Sequence, residues 1–277
     1  MKYIFITIAA MVVVFGLSFL VTSLIRKKMK KKPSMFLHII ISIGSGLAVL
    51  CIGAVVFINI HYPAQEDALA VLSDTSGARV TKIEGGYLAD GPGESAALVF
   101  YPGAKVDTEA YLPLMKQIAD NGADNGVDCF LLDMPMRMAI FDMNAADKIV
   151  DYYNYEHWIV GGHSMGGMIA AGYAADNPNT VDGVVLLAAY PTQELSDSIR
   201  LLSVYGTEDG VLNRDAYEDA KKYFPQEYTE KIIDGGNHAG FGNYGVQSGD
   251  GKATIMANEQ QSQTTFAITE FAKRIIV

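Results

Sequence analysis

The first sixty residues are almost wholly apolar, and the rest of the chain alternates short apolar and polar segments. Two uncharged apolar runs lie in the first part, at residues 4–25 and 35–60. Because a helix rises about 1.5 Å per residue and a bilayer core is about 30 Å thick, each run is long enough to cross a membrane. The pattern predicts two transmembrane helices. A cleaved signal peptide is an alternative for the first run, and a buried soluble helix is an alternative for either.

Beyond residue 78 the pattern becomes regular. The sequence predicts an antiparallel strand pair over 79–89, turned at Gly85 and Gly86, and then apolar strands at 96–101, 127–132, 158–161, 181–188, 199–205 and 228–233. Helices are predicted between them at 108–121, 144–153, 165–176 and 214–223, with a last helix at 258–274. Short strands without polar alternation are typical of sheets covered on both faces. We therefore predict an α/β fold with a doubly wound, mostly parallel sheet over residues 78–277, joined by a linker at 61–77 to a transmembrane hairpin at 1–60.

The charge distribution divides the chain at the same place. Residues 1–60 contain seven basic residues and no acidic residue, whereas residues 61–277 contain 14 basic and 31 acidic residues, a net charge of −17. Six of the seven basic residues lie in the loop at 26–33 between the apolar runs. Positively charged loops stay in the cytoplasm, which predicts an outward-facing body. A loop that simply binds anionic lipid headgroups is the alternative. An acidic body gives no indication of nucleic-acid binding.

The residues that usually hold metals are scattered. Cys51 lies in the second apolar run and Cys129 in a predicted strand, so a disulfide between them is not expected, and the five histidines do not cluster. The segment Gly249-Asp250-Gly251 lacks the alternating carboxylates of a calcium loop. We predict no metal and no cofactor. The predicted partners are a small acyl substrate and the lipid bilayer, and the sequence does not indicate an oligomeric state.

One serine stands where an apolar strand meets an alanine-rich helix. The stretch Gly162-His-Ser-Met-Gly166 fits the pattern G-x-S-x-G, which by chance alone is a weak signal. Its position between a strand and a helix is the setting of a nucleophile elbow, in which flanking glycines allow a sharp turn. Ser164 is therefore a candidate nucleophile, and a purely structural turn is the alternative.

Two further candidate residues follow later strands, first an acid and then a histidine. Asp209 lies in Gly206-Thr-Glu-Asp-Gly210 and His238 in Gly235-Gly-Asn-His-Ala239, each at the end of a strand. With Ser164 ahead of them, the region from residue 79 to residue 277 resembles the α/β-hydrolase family, in particular its small, lidless, dienelactone-hydrolase-like members. The resemblance implies a catalytic triad in which His238 is the general base and Asp209 orients it. Glu208 and Asp234 are alternatives for the acid, and His163 is predicted to be a packing residue.

The resemblance also implies an oxyanion hole of two backbone N–H groups. Met165 follows the nucleophile and supplies one of them. The second is expected from Pro102-Gly-Ala104, where the family often has His-Gly, so we predict Ala104, with Gly103 and Lys105 as alternatives.

Residues near the predicted mouth are candidates for substrate binding. Only ten residues separate the strands at 181–188 and 199–205, too few for a helical cap, so an open site is expected. The candidate residues are Lys105, Met136, Arg137, Tyr190 and Phe241. Ordinary packing, or a solvated salt bridge for Arg137, is the alternative.

The sequence thus predicts a membrane-anchored serine hydrolase of the carboxylic-ester class, with its catalytic domain outside the cytoplasm. An acyltransferase with the same triad is an alternative function, because the triad itself does not determine the acyl acceptor. A non-catalytic membrane-bound binding protein of the same fold is the second alternative.

Overall fold

The computed structural model describes residues 2–30, 34–93, 95–121 and 127–276, and at residues 2–10 it describes the backbone alone. The chain divides into two compact units, Met1–Ile60 and His61–Val277. The predicted loop at 26–33 lies partly outside the described residues, which omit 31–33.

The first unit is a pair of helices, α1 (Lys2–Lys28) and α2 (Met35–Asn59). The Ser34 side chain caps α2 by accepting a hydrogen bond from the N–H of Leu37 at 3.2 Å. Small polar residues join the helices, since Thr22 Oγ1 lies 2.6 Å from Ser42 Oγ. Basic residues predicted to open the loop, Arg26 to Lys28, instead end α1, where positive charge suits the carboxyl end of the helix dipole.

Among the described residues, α2 is the one helix long and apolar enough to cross a membrane. Its mean hydropathy is 2.6 over the most apolar window. The other predicted span, residues 4–25, is helical, but the side chains of its first residues lie outside the described part of the chain. A second span therefore stays a prediction.

The second unit is an α/β domain. Its strands are β1 (Arg79–Ile83), β2 (Gly86–Asp90), β3 (Ala96–Tyr101), β4 (Val127–Leu132), β5 (His157–His163), β6 (Gly183–Leu187), β7 (Arg200–Gly206) and β8 (Tyr228–Ile233). Its helices are α3 (Glu66–Ala70), α4 (Leu112–Asp120), α5 (Asp147–Val150), α6 (Met165–Asp176), α7 (Arg214–Ala220) and α8 (Ala257–Ile276).

In the described part of the chain the strands form one eight-stranded sheet in the order β1-β2-β4-β3-β5-β6-β7-β8. The pairs β1/β2 and β2/β4 are antiparallel, and every other neighbouring pair is parallel. The predicted α/β fold with a mostly parallel sheet is confirmed. Strands β3 to β8 consequently end at one edge, which we call the carboxyl edge, where ligands bind in such sheets.

Buried apolar residues cover both faces of the central strands, which explains why those strands lack polar alternation. Every residue of β3, β4 and β6 is buried. Alternate residues of β3 belong to different core clusters: Leu98 and Phe100 pack on one face, and Val99 and Tyr101 pack on the other.

Three predicted helices are shorter than expected. The helix predicted at 214–223 ends at Ala220, and a 3₁₀ turn follows over Lys221–Tyr223. The helix predicted at 144–153 is only α5. It begins late because the N–H of Ala146 donates to the hydroxyl of Tyr101 at 3.0 Å and not to a carbonyl of a preceding helical turn. The helix predicted at 108–121 starts with a 3₁₀ turn, and α4 begins at Leu112 with Pro113 in its first turn, where a missing N–H costs nothing.

Residues 61–77, predicted as a linker, are folded against the α/β domain. They contain α3 followed by a 3₁₀ turn, and Ala68 is completely buried. Tyr62 forms a parallel bridge with Val106. The segment is held by backbone hydrogen bonds that composition alone does not indicate.

Candidate active site

Ser164 lies at a strained turn between β5 and α6. Its backbone angles are φ 54° and ψ −124°, a region that non-glycine residues rarely adopt. A Cβ on Gly162 would lie 2.5 Å from the carbonyl carbon of Gly166, and a Cβ on Gly166 would collide with the carbonyl oxygen of Tyr101. The turn is thus possible only with glycine at both flanking positions. It leaves Ser164 half-buried at the carboxyl edge.

Asp209 and His238 form a buried pair. Asp209 Oδ2 lies 2.9 Å from His238 Nδ1, and both side chains are almost completely inaccessible to solvent. Asp209 Oδ1 also accepts the N–H groups of Val211 and Leu212 at 2.9 and 2.8 Å. Burial raises the pKa of Asp209, but the His238 hydrogen bond and charge and the two N–H groups outweigh burial and lower it overall. A charged Asp209 fixes the His238 ring with its Nε2 atom directed away from the acid.

His238 lies close to the elbow but does not bond to the serine. The rings of His238 and His163, the residue before Ser164, are 4.5 Å apart. His238 Nε2 is buried and has no hydrogen-bond partner among the described residues, so the structure contains no Ser164 Oγ hydrogen bond to it. Such bonds are often long in free enzymes and shorten in the substrate complex.

A buried tyrosine links the elbow to the loop after β3. The hydroxyl of Tyr111 accepts the N–H of Gly103 at 3.1 Å and lies 2.8 Å from His163 Nδ1. The Tyr111 hydroxyl and His163 Nδ1 share one hydrogen bond, and the tautomer of the His163 ring decides which of them donates the proton. Burial and, second, the charge of His238 lower the pKa of His163 well below its usual range, so the ring stays neutral.

Two backbone N–H groups near Ser164 are unpaired among the described residues. The three predicted candidates after β3 differ, because Gly103 donates to Tyr111 and Lys105 donates to the carbonyl of Arg137 at 2.8 Å. The N–H of Ala104 has no such partner, and neither has the N–H of Met165 at the start of α6. These two groups are therefore available to stabilise an oxyanion.

The remaining predicted substrate contacts are dispersed. Met136 is half exposed, whereas Phe241 is completely buried with its ring 5.6 Å from that of His163, which makes it a packing residue. The guanidinium of Arg137 is paired with Asp107. Tyr190 is partly buried beside the cluster of Tyr205, Leu212 and Tyr217, and Lys105 has a left-handed backbone with φ 62°.

Asp250 joins the loops that carry Asp209 and His238, and sequence reasoning missed it. Its carboxylate accepts the N–H of Gly210, next to Asp209, at 3.1 Å and the N–H groups of His238 and Ala239 at 3.2 and 2.8 Å. The available signal was the glycine on its carboxyl side, because a Cβ on Gly251 would collide with the carbonyl of Glu208. Asp250 thereby fixes two loops that are distant in sequence.

The connection between β6 and β7, residues 188–199, contains no helix. No cap therefore covers the carboxyl edge from this connection. Among the described residues no group of three His, Cys, Asp or Glu side chains could hold a metal ion.

A sequence model described as "Alpha/beta hydrolase family" matches residues 97–263. A curated relative, the putative non-heme haloperoxidase of Mycobacterium phage D29, is 32% identical over 118 residues, which cover 39% of this chain and 41% of the relative. The chain thus matches less than half the length of that relative.

Solved structures share the fold at low sequence identity. Est1E from Butyrivibrio proteoclasticus, with ferulic acid bound, is 14% identical with a TM-score of 0.52, over 73% of this chain and 98% of its own. Alpha/beta hydrolase domain-containing protein 10 from mouse is 9% identical with a TM-score of 0.51, over 72% of this chain and 100% of its own.

Proposed function

The chain belongs to the alpha/beta hydrolase family, and on that premise we propose that it is a serine hydrolase that cleaves a carboxylic ester or related acyl bond. The observation that carries this proposal is the buried Asp209–His238 pair beside the strained Ser164 elbow. A serine hydroxyl is a poor nucleophile at neutral pH, so it needs a general base to take its proton. A histidine held in place by an ionised acid can act as that base.

The proposed reaction proceeds through an acyl-enzyme. His238 Nε2 takes the proton of Ser164 Oγ as the oxygen attacks the acyl carbon, and the carbonyl oxygen becomes an oxyanion. The free N–H groups of Ala104 and Met165 stabilise that oxyanion. His238 then protonates the leaving alcohol, and a water molecule deprotonated by His238 hydrolyses the ester formed on Ser164.

The open carboxyl edge supports the finer resemblance to small, lidless, dienelactone-hydrolase-like enzymes. Residues 188–199 carry no helical cap, so a substrate can reach Ser164 without the movement of a lid from this connection. We propose Lys105, Met136, Arg137 and Tyr190 as substrate contacts at this edge.

We also propose that the protein is anchored in the cell membrane by α1 and α2, with the basic loop at 26–33 in the cytoplasm and the α/β domain outside. The apolar length of α2 supports one span, and the absence of acidic residues before residue 61 supports the second. The bilayer is then a permanent partner. The net charge of −17 over residues 61–277 disfavours nucleic acid as a further binding partner.

The proposed function is tested with the full-length protein and a chromogenic short-chain ester. Ser164→Ala is expected to reduce kcat by about 10³-fold or more, while Ser262→Ala, which changes an exposed serine on α8, leaves kcat unchanged. Equal hydrolysis by wild type and Ser164→Ala would refute the proposal.

A further inference from the structure

The first residues after α2 lie on the loop that carries the proposed oxyanion donor. The N–H of Tyr62 donates to the carbonyl of Lys105 at 2.7 Å, and the N–H of Asp107 donates to the carbonyl of Tyr62 at 3.0 Å. The Asp107 carboxylate accepts the N–H of Ala64 at 3.2 Å and pairs with Arg137. The start of the second unit is thus fixed within a few residues of Ala104.

The same segment is also bound to the loop that follows His238. The hydroxyl of Tyr62 accepts the N–H of Ser248 at 3.1 Å. The N–H of Gln65 donates to the carbonyl of Asn243 at 2.8 Å. We call the loop after β3, residues 102–107, the oxyanion loop, and the connection between β8 and α8, residues 234–256, the base loop. Residues 61–65 therefore connect the oxyanion loop to the base loop, and they run along the carboxyl edge of the sheet.

Covalent connection places a limit on how far this edge can move from the end of α2. Helix α2 ends at Asn59, and Tyr62 follows three residues later, a span of at most about 10 Å in an extended chain. If α2 crosses a bilayer, Tyr62 therefore lies within about 10 Å of the end of that span, and Tyr62 is bonded to both loops.

Exposed apolar side chains lie on both sides of residues 61–65. On one side is the loop after β4, in which four large apolar side chains within eight residues are 52–56% exposed: Met136, Ile140, Phe141 and Met143. It is tied to the oxyanion loop by the hydrogen bond from Lys105 to Arg137. On the other side Val246, in the base loop, is 92% exposed. Clustered exposed apolar side chains beside a site are typical of a binding surface.

We propose that the carboxyl edge rests on the lipid bilayer, with Ile140, Phe141 and Met143 inserted among the lipids, and that the acyl substrate reaches Ser164 from the membrane. The substrate class is an ester with a long apolar chain that resides in the bilayer. This inference rests on the proposed serine hydrolase and its anchor. The acidic domain has little attraction for anionic headgroups, so apolar insertion supplies the contact, and added salt should not weaken it.

The lipid contact is tested by tryptophan fluorescence, independently of catalysis. The chain has a single tryptophan, Trp158, which is only 6% exposed, so a second tryptophan is readily observed against it. Full-length Phe141→Trp is reconstituted in phosphatidylcholine vesicles with and without brominated acyl chains. The matched control is Tyr228→Trp, because Tyr228 is similarly exposed, 49% against 56%, but opens β8 at the opposite edge.

Bromine quenches tryptophan only at short range, so Phe141→Trp is expected to lose at least twice as much emission as Tyr228→Trp, and equally at low and high salt. Quenching of Phe141→Trp no greater than that of the control would overturn the proposed surface, whether or not the protein hydrolyses esters.

The substrate class is tested by the double variant Ile140→Ser/Phe141→Ser. Its kcat/KM is expected to fall about tenfold on a long-chain ester embedded in vesicles, because two apolar anchors are lost, and to stay within twofold on a water-soluble short-chain ester. An equal effect on both esters, or no effect on either, would overturn the inference. Wild type inactive on both esters would instead refute the proposed hydrolase, and the quenching result would still stand.

Discussion

The imidazole ring of His163 lies 4.5 Å from the imidazole ring of His238. One of these rings must become positively charged during the proposed reaction, and two charged imidazoles at this distance would repel each other strongly. Burial keeps His163 neutral, and the Tyr111 hydroxyl bonds to its Nδ1 atom. The elbow histidine is thus a neutral support for the proposed general base.

Removal of the Tyr111 hydroxyl tests this support. Tyr111→Phe leaves both His163 Nδ1 and the N–H of Gly103 without their partner, so kcat is expected to fall about tenfold with little change in KM, and stability by about 1–3 kcal/mol. The control is Tyr155→Phe, which removes a partly buried hydroxyl that donates to Asp128 at 2.6 Å. Steady-state kinetics and urea unfolding should show a stability loss in both variants and a kcat loss in Tyr111→Phe alone. Similar kcat losses in both would contradict the assignment.

Asp250 should act as a positioning residue for the acid and base loops. Asp250→Ala releases the N–H groups of Gly210, His238 and Ala239, and kcat is expected to fall about 10²-fold at nearly constant KM. Because those N–H groups remain as an anion-binding cluster, added formate should restore part of the activity. Asp219→Asn, a change at an exposed acid on α7, should have no effect. A normal kcat in Asp250→Ala would contradict the role.

The elbow glycines can be tested against a glycine in the same helix. In Gly166→Ala the new Cβ meets the carbonyl oxygens of Tyr101 and Pro102, whereas in Gly172→Ala it meets nothing within 4 Å. We expect Gly166→Ala to lower the free energy of unfolding by about 2 kcal/mol or more and Gly172→Ala to raise it by up to about 1 kcal/mol. Urea denaturation measures both, and a stable, fully active Gly166→Ala would be the contrary result.

The Asp209 pKa gives a pH dependence of stability with a definite sign. The pKa of Asp209 in the folded protein lies below its unfolded value, so the charged carboxylate stabilises the fold above the unfolded pKa of about 3.9. That contribution is lost as the pH falls through about 4 towards the folded pKa. Asp209→Asn should therefore flatten the decline of unfolding free energy in this acidic range, as measured by denaturation at several pH values. A variant that declines as steeply as wild type would contradict the shift.

The central strands of the sheet could be predicted from the sequence because burial on both faces makes them almost wholly apolar. Segments 96–101 and 127–132 match β3 and β4 residue for residue, and every residue of both strands is buried. Helix α5 was predicted too long, since nothing local shows that Tyr101 takes the N–H of Ala146, a residue 45 positions away.

The predicted site residues follow the ends of parallel strands. Because parallel strands end at the same edge of a sheet, the order of elements in the sequence is enough to predict that these residues lie close together. Asp250 and Tyr111 could not be found in this way, because their roles come from hydrogen bonds to loops far along the chain. Tyr111, for instance, bonds to His163 across 52 residues. The folding of residues 61–77 onto the domain was missed for the same reason, as Tyr62 pairs with the distant Val106.

We propose that His238 activates Ser164 as a nucleophile. The most direct measurement is covalent labelling of the full-length protein by a fluorophosphonate, followed by mass spectrometry of the labelled peptide. We expect a single adduct on Ser164, no adduct in Ser164→Ala, and labelling slowed by at least about 10²-fold in His238→Ala. A folded wild type that takes no label, or a label on Ser164 that forms equally fast without His238, would contradict it.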